Sequence, residues 1–301
     1  MTDGAEVICP CCSDSHGIAF RFGLVRCLRC SLVYDAVAIA RSRGASLQDE
    51  WFVPPDAPRS VWVRAFERRN NLRTVDRLRR HGKAGGRVLD VGVGSGSLLA
   101  ALRSSGFEAE GCDAVPSMAA AAAQATGLPV HAGTLETLDA PGVFDAVVLN
   151  HVLEHTAAPV TLLDAARRLL RPDGIVHIAV PNVSSWEAHL PGWTSYEPYH
   201  LVYFEPSTLR NVVDRAGLKV VVAQTREPFS GWFLALLRTG LRVRSSTRTS
   251  PSSGERPRRS WAVDTAYHAA MVGVGGALTP LRRVQASLGA GEEAVVIATP
   301  A

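Results

Sequence analysis

Short apolar runs separated by polar and glycine-rich stretches run through the middle of the chain and predict buried strands. The predicted strands are Arg87–Val91, Glu108–Cys112, Pro129–Ala132, Phe144–Leu149, Ile175–Val180, Leu218–Ala223 and Ala294–Ala298. A turn is expected at Arg171-Pro-Asp-Gly174, directly before the fifth of them.

Segments with apolar residues at helical spacing lie before and between these strands. The predicted helices are residues 61–81, a segment that ends at Arg103, Met118–Ala125, Val160–Leu170 and Ser207–Ala216. The alternation of strands and helices is typical of an α/β fold with a parallel sheet covered on both faces by helices.

Two stretches do not follow the alternation. Residues 41–60 contain three prolines and are expected to form a linker. Residues 229–290 separate the last two strands and contain two apolar helix candidates, Trp232–Leu237 and Trp261–Leu281. Ser245–Ser260, between these candidates, is rich in serine, proline and arginine and is predicted to be disordered.

The composition is that of a folded globular protein. Apolar residues make up 47% and charged residues 20% of the 301 residues, which excludes wholesale disorder. No apolar run approaches the ~18 residues that cross a bilayer. Acidic residues, Asp3 and Glu6, precede the first cysteines, so the N-terminus does not resemble a signal peptide. A cytoplasmic protein is expected.

The formal net charge of +4 is unevenly distributed. Arg64–Lys83 contains eight basic and two acidic residues, and Arg238–Arg259 contains seven arginines and one glutamate, so each block carries +6. Because the two blocks together carry +12, the rest of the chain carries −8. Such blocks bind nucleic acid, phosphates or anionic lipid in some proteins, but more often they are solvated faces.

A glycine-rich segment follows the first predicted strand. Its order is Asp-x-Gly-x-Gly-x-Gly, from Asp90 to Gly96, rather than the Gly-x-Gly-x-x-Gly of nicotinamide-binding folds. Glycines at a strand-to-helix turn let the backbone approach a ligand closely. Asp113 comes at the end of the next strand, where a carboxylate can accept hydrogen bonds from a ribose diol. A nicotinamide-binding domain and a packing loop without cofactor are the alternatives.

This arrangement resembles the class I S-adenosylmethionine-dependent methyltransferases, from about Arg87 to Ala223 and again in the last strand. The resemblance implies a Rossmann-like sheet that is mostly parallel, with an antiparallel last strand. It also implies that Asp90 lies near the methionine amino end, that the glycines pass under the cofactor and that Asp113 holds the ribose. The implied cofactor-binding residues are Asp90, Gly92, Gly94, Gly96, Asp113, Thr134, Leu135, Glu136 and Asn150.

Histidines and a glutamate follow the fourth predicted strand. If the segment is a helical turn, His151, Glu154 and His155 share one face at the carboxyl end of the sheet, where open α/β sheets bind ligands. The His-x-x-Glu-His spacing also occurs in a zinc protease family, but in a different helix context. Three roles stay open: acid/base chemistry on the acceptor, favoured because histidine titrates near neutrality, a metal site, and a structural role.

This cluster and the segments after it resemble the ubiquinone-biosynthesis O-methyltransferase-like branch of the class I family. The resemblance continues through Leu170–Gly174, Pro181-Asn182 and Tyr199–Phe204. In some relatives the corresponding stretch has the form Glu-x-x-Glu-His and binds a divalent metal, whereas His151 stands here in place of the first glutamate. The candidate catalytic residues are His151, Glu154, His155 and His200, the last also a candidate metal ligand.

Aromatic residues are dense between the fifth strand and the next helix. They are Trp186, Trp193, Tyr196 and Tyr199, with His200 beside them. A lid over an apolar or ring-shaped acceptor and a small satellite core are equally supported interpretations.

Five of the six cysteines precede residue 31. Two Cys-x-x-Cys pairs, Cys9/Cys12 and Cys27/Cys30, are separated by 14 residues and can supply four thiolates in tetrahedral geometry, as in a zinc ribbon. Cys11 is an alternative to Cys12. Four protein ligands leave no open coordination position, so the zinc is expected to be structural. It would also stabilise a segment too short to hold a core by itself.

The sequence therefore predicts a zinc ribbon (1–40), a linker and helix (41–82), a cofactor-binding domain (83–228 and 291–301) and a helical insert (229–290).

The predicted function is methyl transfer from S-adenosylmethionine to a small molecule, with O-methylation in secondary metabolism or on sugar or lipid-linked intermediates favoured. A metal-dependent RNA 2′-O-methyltransferase and a non-catalytic zinc-ribbon protein are the alternatives. DNA is not expected as a partner, and RNA is disfavoured because no RNA-binding module is visible. The insert is a candidate contact with a membrane surface or a second copy.

Overall fold

Two β-sheets organise the fold. The computed structural model describes residues 8–42, 61–227, 231–240 and 273–301. In chain order the strands are β1 (Gly17–Ala19), β2 (Val25–Cys27), β3 (Val33–Tyr34), β4 (Arg87–Val91), β5 (Glu108–Asp113), β6 (Val130–Ala132), β7 (Phe144–Asn150), β8 (Leu170–Pro181), β9 (Val202–Tyr203), β10 (Leu218–Arg226) and β11 (Glu293–Pro300). The helices are α1 (Ala36–Ser42), α2 (Val61–His81), α3 (Ser97–Ser104), α4 (Pro116–Thr126), α5 (Pro159–Leu169), α6 (Pro206–Arg215), α7 (Gly231–Gly240) and α8 (Thr279–Ser287).

The larger sheet has seven strands in the order β10-β11-β8-β7-β4-β5-β6. The pairs from β8 to β6 are parallel, and β11 lies antiparallel to both of its neighbours. This confirms the predicted α/β fold, with a mostly parallel sheet and an antiparallel last strand. The carboxyl ends of β4, β5, β7 and β8 consequently meet at one edge of the sheet.

Helices cover both faces of this sheet because each presents an apolar side. On one face α2 and α3 bury Val75, Leu78 and Leu99, and on the other α5 and α6 bury Leu163 and Val212. All residues of β7 from Phe144 to Leu149 are buried. Burying one such aliphatic side chain contributes about 1.5–3 kcal/mol, so a near-continuous apolar strand favours the centre of the sheet.

The prediction that a turn at Arg171–Gly174 precedes the fifth strand is wrong, because these residues lie within β8. Strand β8 begins at Leu170, which pairs with Phe144, and the register resumes with Ile175 opposite Ala146. The four turn residues therefore form a bulge within β8, opposite Asp145. Nη1 of Arg171 donates to Oδ1 of Asp145 at 2.7 Å, and this ion pair holds the bulge against the neighbouring strand.

The smaller sheet joins the cysteine-rich segment to the rest of the fold. Its order is β1-β2-β3-β9, and β3 pairs antiparallel with β9 through Val33–Tyr203 and Tyr34–Val202. Leu32 and Tyr34 are buried in the same apolar cluster as the central strands of the large sheet. Residues 8–42 are thus packed against the cofactor-binding domain.

The insert and the linker are described only in part. Helix α7 includes the predicted Trp232–Leu237 segment, and α8 begins near the end of the predicted Trp261–Leu281 helix. The predicted disordered stretch, residues 245–260, and residues 43–60 of the predicted linker lie outside the described residues. Among the described helices, none combines the length and the apolar character needed to cross a bilayer.

Candidate functional site

A cavity of about 670 Å³ opens at the carboxyl ends of β4, β5 and β7. This volume is in the range of small-molecule sites, about 300–1,000 Å³. Of the residues predicted from the sequence, those that line it are Gly92, Gly94, Asp113, Thr134, Leu135, Glu136, His151, His155 and Tyr199. The predicted residues that do not line it are Asp90, Gly96, Asn150, Glu154 and His200.

The glycine loop forms one wall, and its backbone explains the glycines. Gly92, Gly94 and Gly96 have φ angles of 70°, 51° and 72°, a region that other residues rarely adopt. A Cβ on Gly92 would lie 2.8 Å from Cγ2 of Val152. Only glycine therefore allows the loop to come this close to the Val152 side chain. Gly96 is the N-cap of α3, and a Cβ there would meet Thr126 at 2.7 Å.

Asp113 ends β5 at the floor of the cavity. Its Oδ1 accepts a hydrogen bond from the Val115 amide at 2.9 Å. Burial raises the pKa of Asp113 even though backbone amides, including that of Gly94, oppose the shift. Asp90 is 3% exposed, and burial together with repulsion from Asp113 raises its pKa well above the usual range. Of the two carboxyl groups, only that of Asp113 lines the cavity, where hydroxyl donors of a ligand could satisfy it.

The predicted helical face of His151, Glu154 and His155 is wrong. His151 has a φ of 55°, and only Leu153–His155 form a short 3₁₀ turn. The His151 amide donates to the Ala179 carbonyl at 2.8 Å, which ties the residue to β8 and leaves it outside any helical turn. A left-handed histidine directly after a central strand is the kind of local strain that occurs at functional sites.

His151 is held between two carboxylates. Its Nε2 bonds Oε1 of Glu293 at 3.0 Å, and its Nδ1 lies 3.2 Å from Oε1 of Glu154. The side chain of His151 is 53% exposed, and the contacts with Glu154 and Glu293 outweigh the desolvation of the ring and raise the pKa of His151 to about 10. His151 is therefore an imidazolium at neutral pH, which does not suit a general base.

Glu154, His155 and His200 come together instead. Each offers one ligand-type atom within 4.8 Å of the others. Nδ1 of His155 bonds the Tyr199 carbonyl at 3.1 Å, and Nδ1 of His200 bonds the Ser195 carbonyl at 2.8 Å. Because a carbonyl only accepts, both rings carry the proton on Nδ1 and leave Nε2 as an acceptor.

The carboxylate of this trio is buried. Glu154 is 1% exposed; its Oε1 forms the ion pair with His151, and its Oε2 has no hydrogen-bond partner among the described residues. Burial raises its pKa, but the charge of His151 and the neighbouring histidines outweigh that effect and lower it. Burial lowers the pKa of His200 to about 4, so its ring is neutral. The trio thus presents an anionic oxygen and, at His200, a neutral imidazole.

The sequence left two roles open for the aromatic residues, a lid over the acceptor and a satellite core, and the structure divides the residues between the cavity and that core. Trp193 is 1% exposed and packs with Tyr196 and Tyr203 in a satellite core that also contains Leu24 and Val33 of the N-terminal sheet. Tyr199 lines the cavity, with its ring 5.4 Å from that of His155. Trp186 is 40% exposed.

Several contributors to the site have no signal in the sequence. Glu293, the partner of His151, lies 142 positions away at the start of β11 and belongs to no motif. Leu201 and Ser42 line the cavity. Leu201 also connects the two sheets, because its amide donates to the Glu154 carbonyl and its carbonyl accepts from the Asp35 amide.

Four cysteine thiols cluster at the edge of the small sheet. The Sγ atoms of Cys9, Cys12, Cys27 and Cys30 all lie within 4.8 Å of one another. The Cys9–Cys30 and Cys12–Cys27 distances are both 3.5 Å. A tetrahedron with zinc–sulfur bonds of about 2.3 Å has sulfur–sulfur edges of about 3.8 Å, so the cluster has nearly the required size.

The seven-stranded order, the glycine loop and the acid at the end of β5 define a class I S-adenosylmethionine-dependent methyltransferase fold. The chain matches the methyltransferase domain family over residues 63–223, more than half of its length, and it belongs to that family. The resemblance inferred from the sequence is confirmed.

Curated relatives match this chain over part of their length. The ubiquinone biosynthesis O-methyltransferase of Cereibacter sphaeroides is 40% identical over 96 residues, which cover 30% of this chain and 39% of that protein. The protein of the same name from Idiomarina loihiensis is 30% identical over 154 residues, 46% of this chain and 63% of that protein. The chain therefore spans less than two thirds of either relative. A solved S-adenosylmethionine-dependent methyltransferase from Archaeoglobus fulgidus aligns with a TM-score of 0.49 and 18% identity, covering 76% of this chain and 94% of that one.

Proposed function

We propose that the protein transfers a methyl group from S-adenosylmethionine to an oxygen of a small-molecule acceptor. The observation that carries the proposal is a single cavity with the glycine loop and Asp113 on one side and His151, His155 and Tyr199 on the other. One region can hold the cofactor while the other meets the acceptor.

The residues present fit this cofactor. The carboxylate of Asp113 suits two ribose hydroxyls, and Thr134, Leu135 and Glu136 line the cavity beyond β6, where an adenine would lie. Asp90 lies near the end of the buried strand that leads into the glycine loop but does not itself line the cavity. When bound, S-adenosylmethionine supplies an activated methyl group on a positively charged sulfur.

His155 is the proposed general base. It lines the cavity, and its bond to the Tyr199 carbonyl places the lone pair of the neutral ring on Nε2, the atom that would accept the proton of an acceptor hydroxyl. His151 has a different proposed role, because its charge is fixed by Glu154 and Glu293. It would keep Glu154 ionised and hold the cavity wall in place.

Two binding and transfer measurements test the function. Calorimetry should find binding of S-adenosylhomocysteine and none of NADH. Radiolabelled methyl transfer into a cell extract, separated into small-molecule, lipid and RNA fractions, should label the first or the second. Label confined to RNA would contradict the small-molecule acceptor, and NADH binding without S-adenosylhomocysteine binding would contradict methyl transfer altogether.

A second candidate for the acceptor side is a divalent metal ion at Glu154, His155 and His200. The observation that favours it is a buried carboxylate, with no hydrogen-bond partner for Oε2 among the described residues, within 4.8 Å of two imidazoles. Both imidazoles donate Nδ1–H to carbonyls, the usual arrangement of metal-binding histidines. A metal would lower the pKa of an acceptor hydroxyl there. Loss of activity on chelation, restored by Mg²⁺ or Zn²⁺, would favour the metal. Full activity after chelation, with no metal found in the protein, would favour His155 alone.

The four-cysteine cluster is proposed to hold a structural zinc ion. Strand β3 follows Cys30 by a few residues and pairs with β9, which directly follows His200 and Leu201. Zinc at the cluster would therefore help to position the acceptor side of the cavity. Metal analysis of the purified protein should find about one zinc per chain, and its absence would overturn the assignment.

A further inference from the structure

A second cleft, of about 290 Å³, lies between helix α2 and the edge strand β10. Arg73, Arg77 and Arg80 of α2 and Arg226 of β10 line it. The first three belong to the basic block Arg64–Lys83. The other lining residues are Asp76, His81, Val222, Gln224 and Glu227.

Among the described residues, two of the four arginines are paired with acids, and two are not. Asp76 is paired with Arg80, and Glu293 is paired with Arg226. Glu227 also lines the cleft, and burial and repulsion from Glu187 raise its pKa. Within residues 8–42, 61–227, 231–240 and 273–301, neither Arg73 nor Arg77 forms an ion pair with a carboxylate. The cleft therefore has a net positive charge.

Two guanidinium groups at the cleft also have unused hydrogen-bond donors. Nη1 of Arg77 and Nη1 of Arg226 are buried and have no acceptor among the described residues. Burial, and repulsion from Arg226, lower the pKa of Arg77 to about 10, which leaves it charged at neutral pH. Buried donors without partners are rare in folded proteins and call for an explanation.

We propose that this cleft binds a phosphate or pyrophosphate group of a ligand. Guanidinium forks match the oxygens of phosphate in paired hydrogen bonds, and an oxyanion between α2 and β10 would counter the charges that now repel one another. The volume suits a small oxyanion rather than a whole nucleotide, because sites for drug-sized ligands start at about 300 Å³.

The cleft is connected to the main cavity by two ion pairs. Arg226 bonds Glu293, and Glu293 bonds His151, which lines the cavity. As an extension of the proposal, a phosphate-bearing acceptor held at Arg73 and Arg77 would be sensed at the main cavity through this chain of ion pairs. This last assignment, as an acceptor subsite, rests on the proposed function, whereas the binding of the oxyanion does not.

Calorimetric titration of the full-length protein with pyrophosphate, without cofactor, tests the cleft. The double variant Arg73→Gln/Arg77→Gln should bind pyrophosphate about tenfold or more weakly than the wild type, since each charge-assisted hydrogen bond contributes to binding. Arg210→Gln, at an exposed position of α6, is the matched control and should bind as the wild type does. Arg73→Lys keeps the charge without the fork and should fall between them.

Circular dichroism and S-adenosylhomocysteine affinity show whether the variants fold, and they separate a failure of the cleft from a failure of the proposed function. Equal pyrophosphate affinity in the wild type and the double variant would overturn the proposal.

Vesicles of phosphatidylcholine with phosphatidylglycerol test a lipid source of the phosphate. Binding that the double variant loses and that pyrophosphate displaces would support a lipid phosphate. No binding of either probe, or vesicle binding that the double variant retains, would count against the cleft.

Discussion

Glu292 and Glu293 are neighbours in the chain, and the structure gives them opposite electrostatic environments. Glu293 is 3% exposed, but its bonds to His151 and Arg226 outweigh the effect of burial and lower its pKa. Burial raises the pKa of Glu292, and repulsion from Glu227 and Glu187 raises it further. The same substitution, glutamate to glutamine, should therefore destabilise the protein at one position and not at the other.

The expected loss for Glu293→Gln follows from its two partners. Removing one member of a buried ion pair costs about 3–5 kcal/mol, because the remaining charge stays buried without compensation. The Arg226 side chain is only 15% exposed, but that of His151 is 53% exposed and partly screened by solvent, so the lower end, about 3 kcal/mol, is expected. For a protein of this size that corresponds to a fall in Tm of about 6–12 °C.

The pH dependence has opposite signs for the two residues. A carboxyl whose pKa is lowered on folding adds stability above its unfolded pKa, and that stability is lost as the pH falls through the folded value. The loss of stability in Glu293→Gln, relative to the wild type, should therefore become smaller as the pH falls below the unfolded pKa of glutamate. A carboxyl whose pKa is raised costs stability that grows as the pH rises above its unfolded pKa. Glu292→Gln should thus leave Tm unchanged or raise it, and more so at higher pH.

Thermal unfolding followed by circular dichroism measures both effects, with about pH 3 against about pH 8 for Glu293→Gln and about pH 5 against about pH 8 for Glu292→Gln. Glu292→Gln serves as the control, because it has the same substitution one position away. A change in Tm of less than about 2 °C for Glu293→Gln, or equal losses in both variants, would refute the assigned ion pairs.

Three further changes address the cofactor, the base and the metal. Asp113→Asn should weaken S-adenosylhomocysteine binding about 10–100-fold in calorimetry, because hydrogen bonds to a charged group contribute about 1.5–3 kcal/mol; unchanged affinity would remove Asp113 from the ribose site. His155→Gln should lower kcat about 10²–10⁴-fold with cofactor affinity retained, and equal turnover in a methyl-transfer assay would exclude it as the base. Cys12→Ser should lose zinc and lower Tm, whereas Cys11→Ser should keep both; the reverse result in metal analysis would exchange the two ligands.

The local patterns of the sequence were enough to predict most elements of the large sheet. Phe144–Leu149 was predicted as a buried strand from its apolar run alone, and the structure contains β7 there. The predicted turn before Ile175 fails as a boundary because Arg171 forms an ion pair with Asp145 on the neighbouring strand. That contact depends on strand pairing, which residue order does not reveal.

The candidate site was predicted in part. Glycines and carboxylates at strand ends follow from the chain order of an α/β fold, and Gly92, Gly94 and Asp113 do line the cavity. The predicted grouping of His151, Glu154 and His155 on one face is wrong. It assumed a helical turn, whereas the backbone of His151 is left-handed. His200 joins Glu154 and His155 through the segment before β9, more than forty positions downstream.

The sequence by itself determined the strand and helix alternation, the glycine loop and the two cysteine pairs, because these depend on residue type and short spacing. Only the tertiary structure decided the charge of His151, the burial of the Glu154 carboxylate and the arginine cleft beside β10. Each of these depends on which distant groups are buried next to one another. Electrostatic energy in a protein interior depends on distance and solvent exposure rather than on separation along the chain.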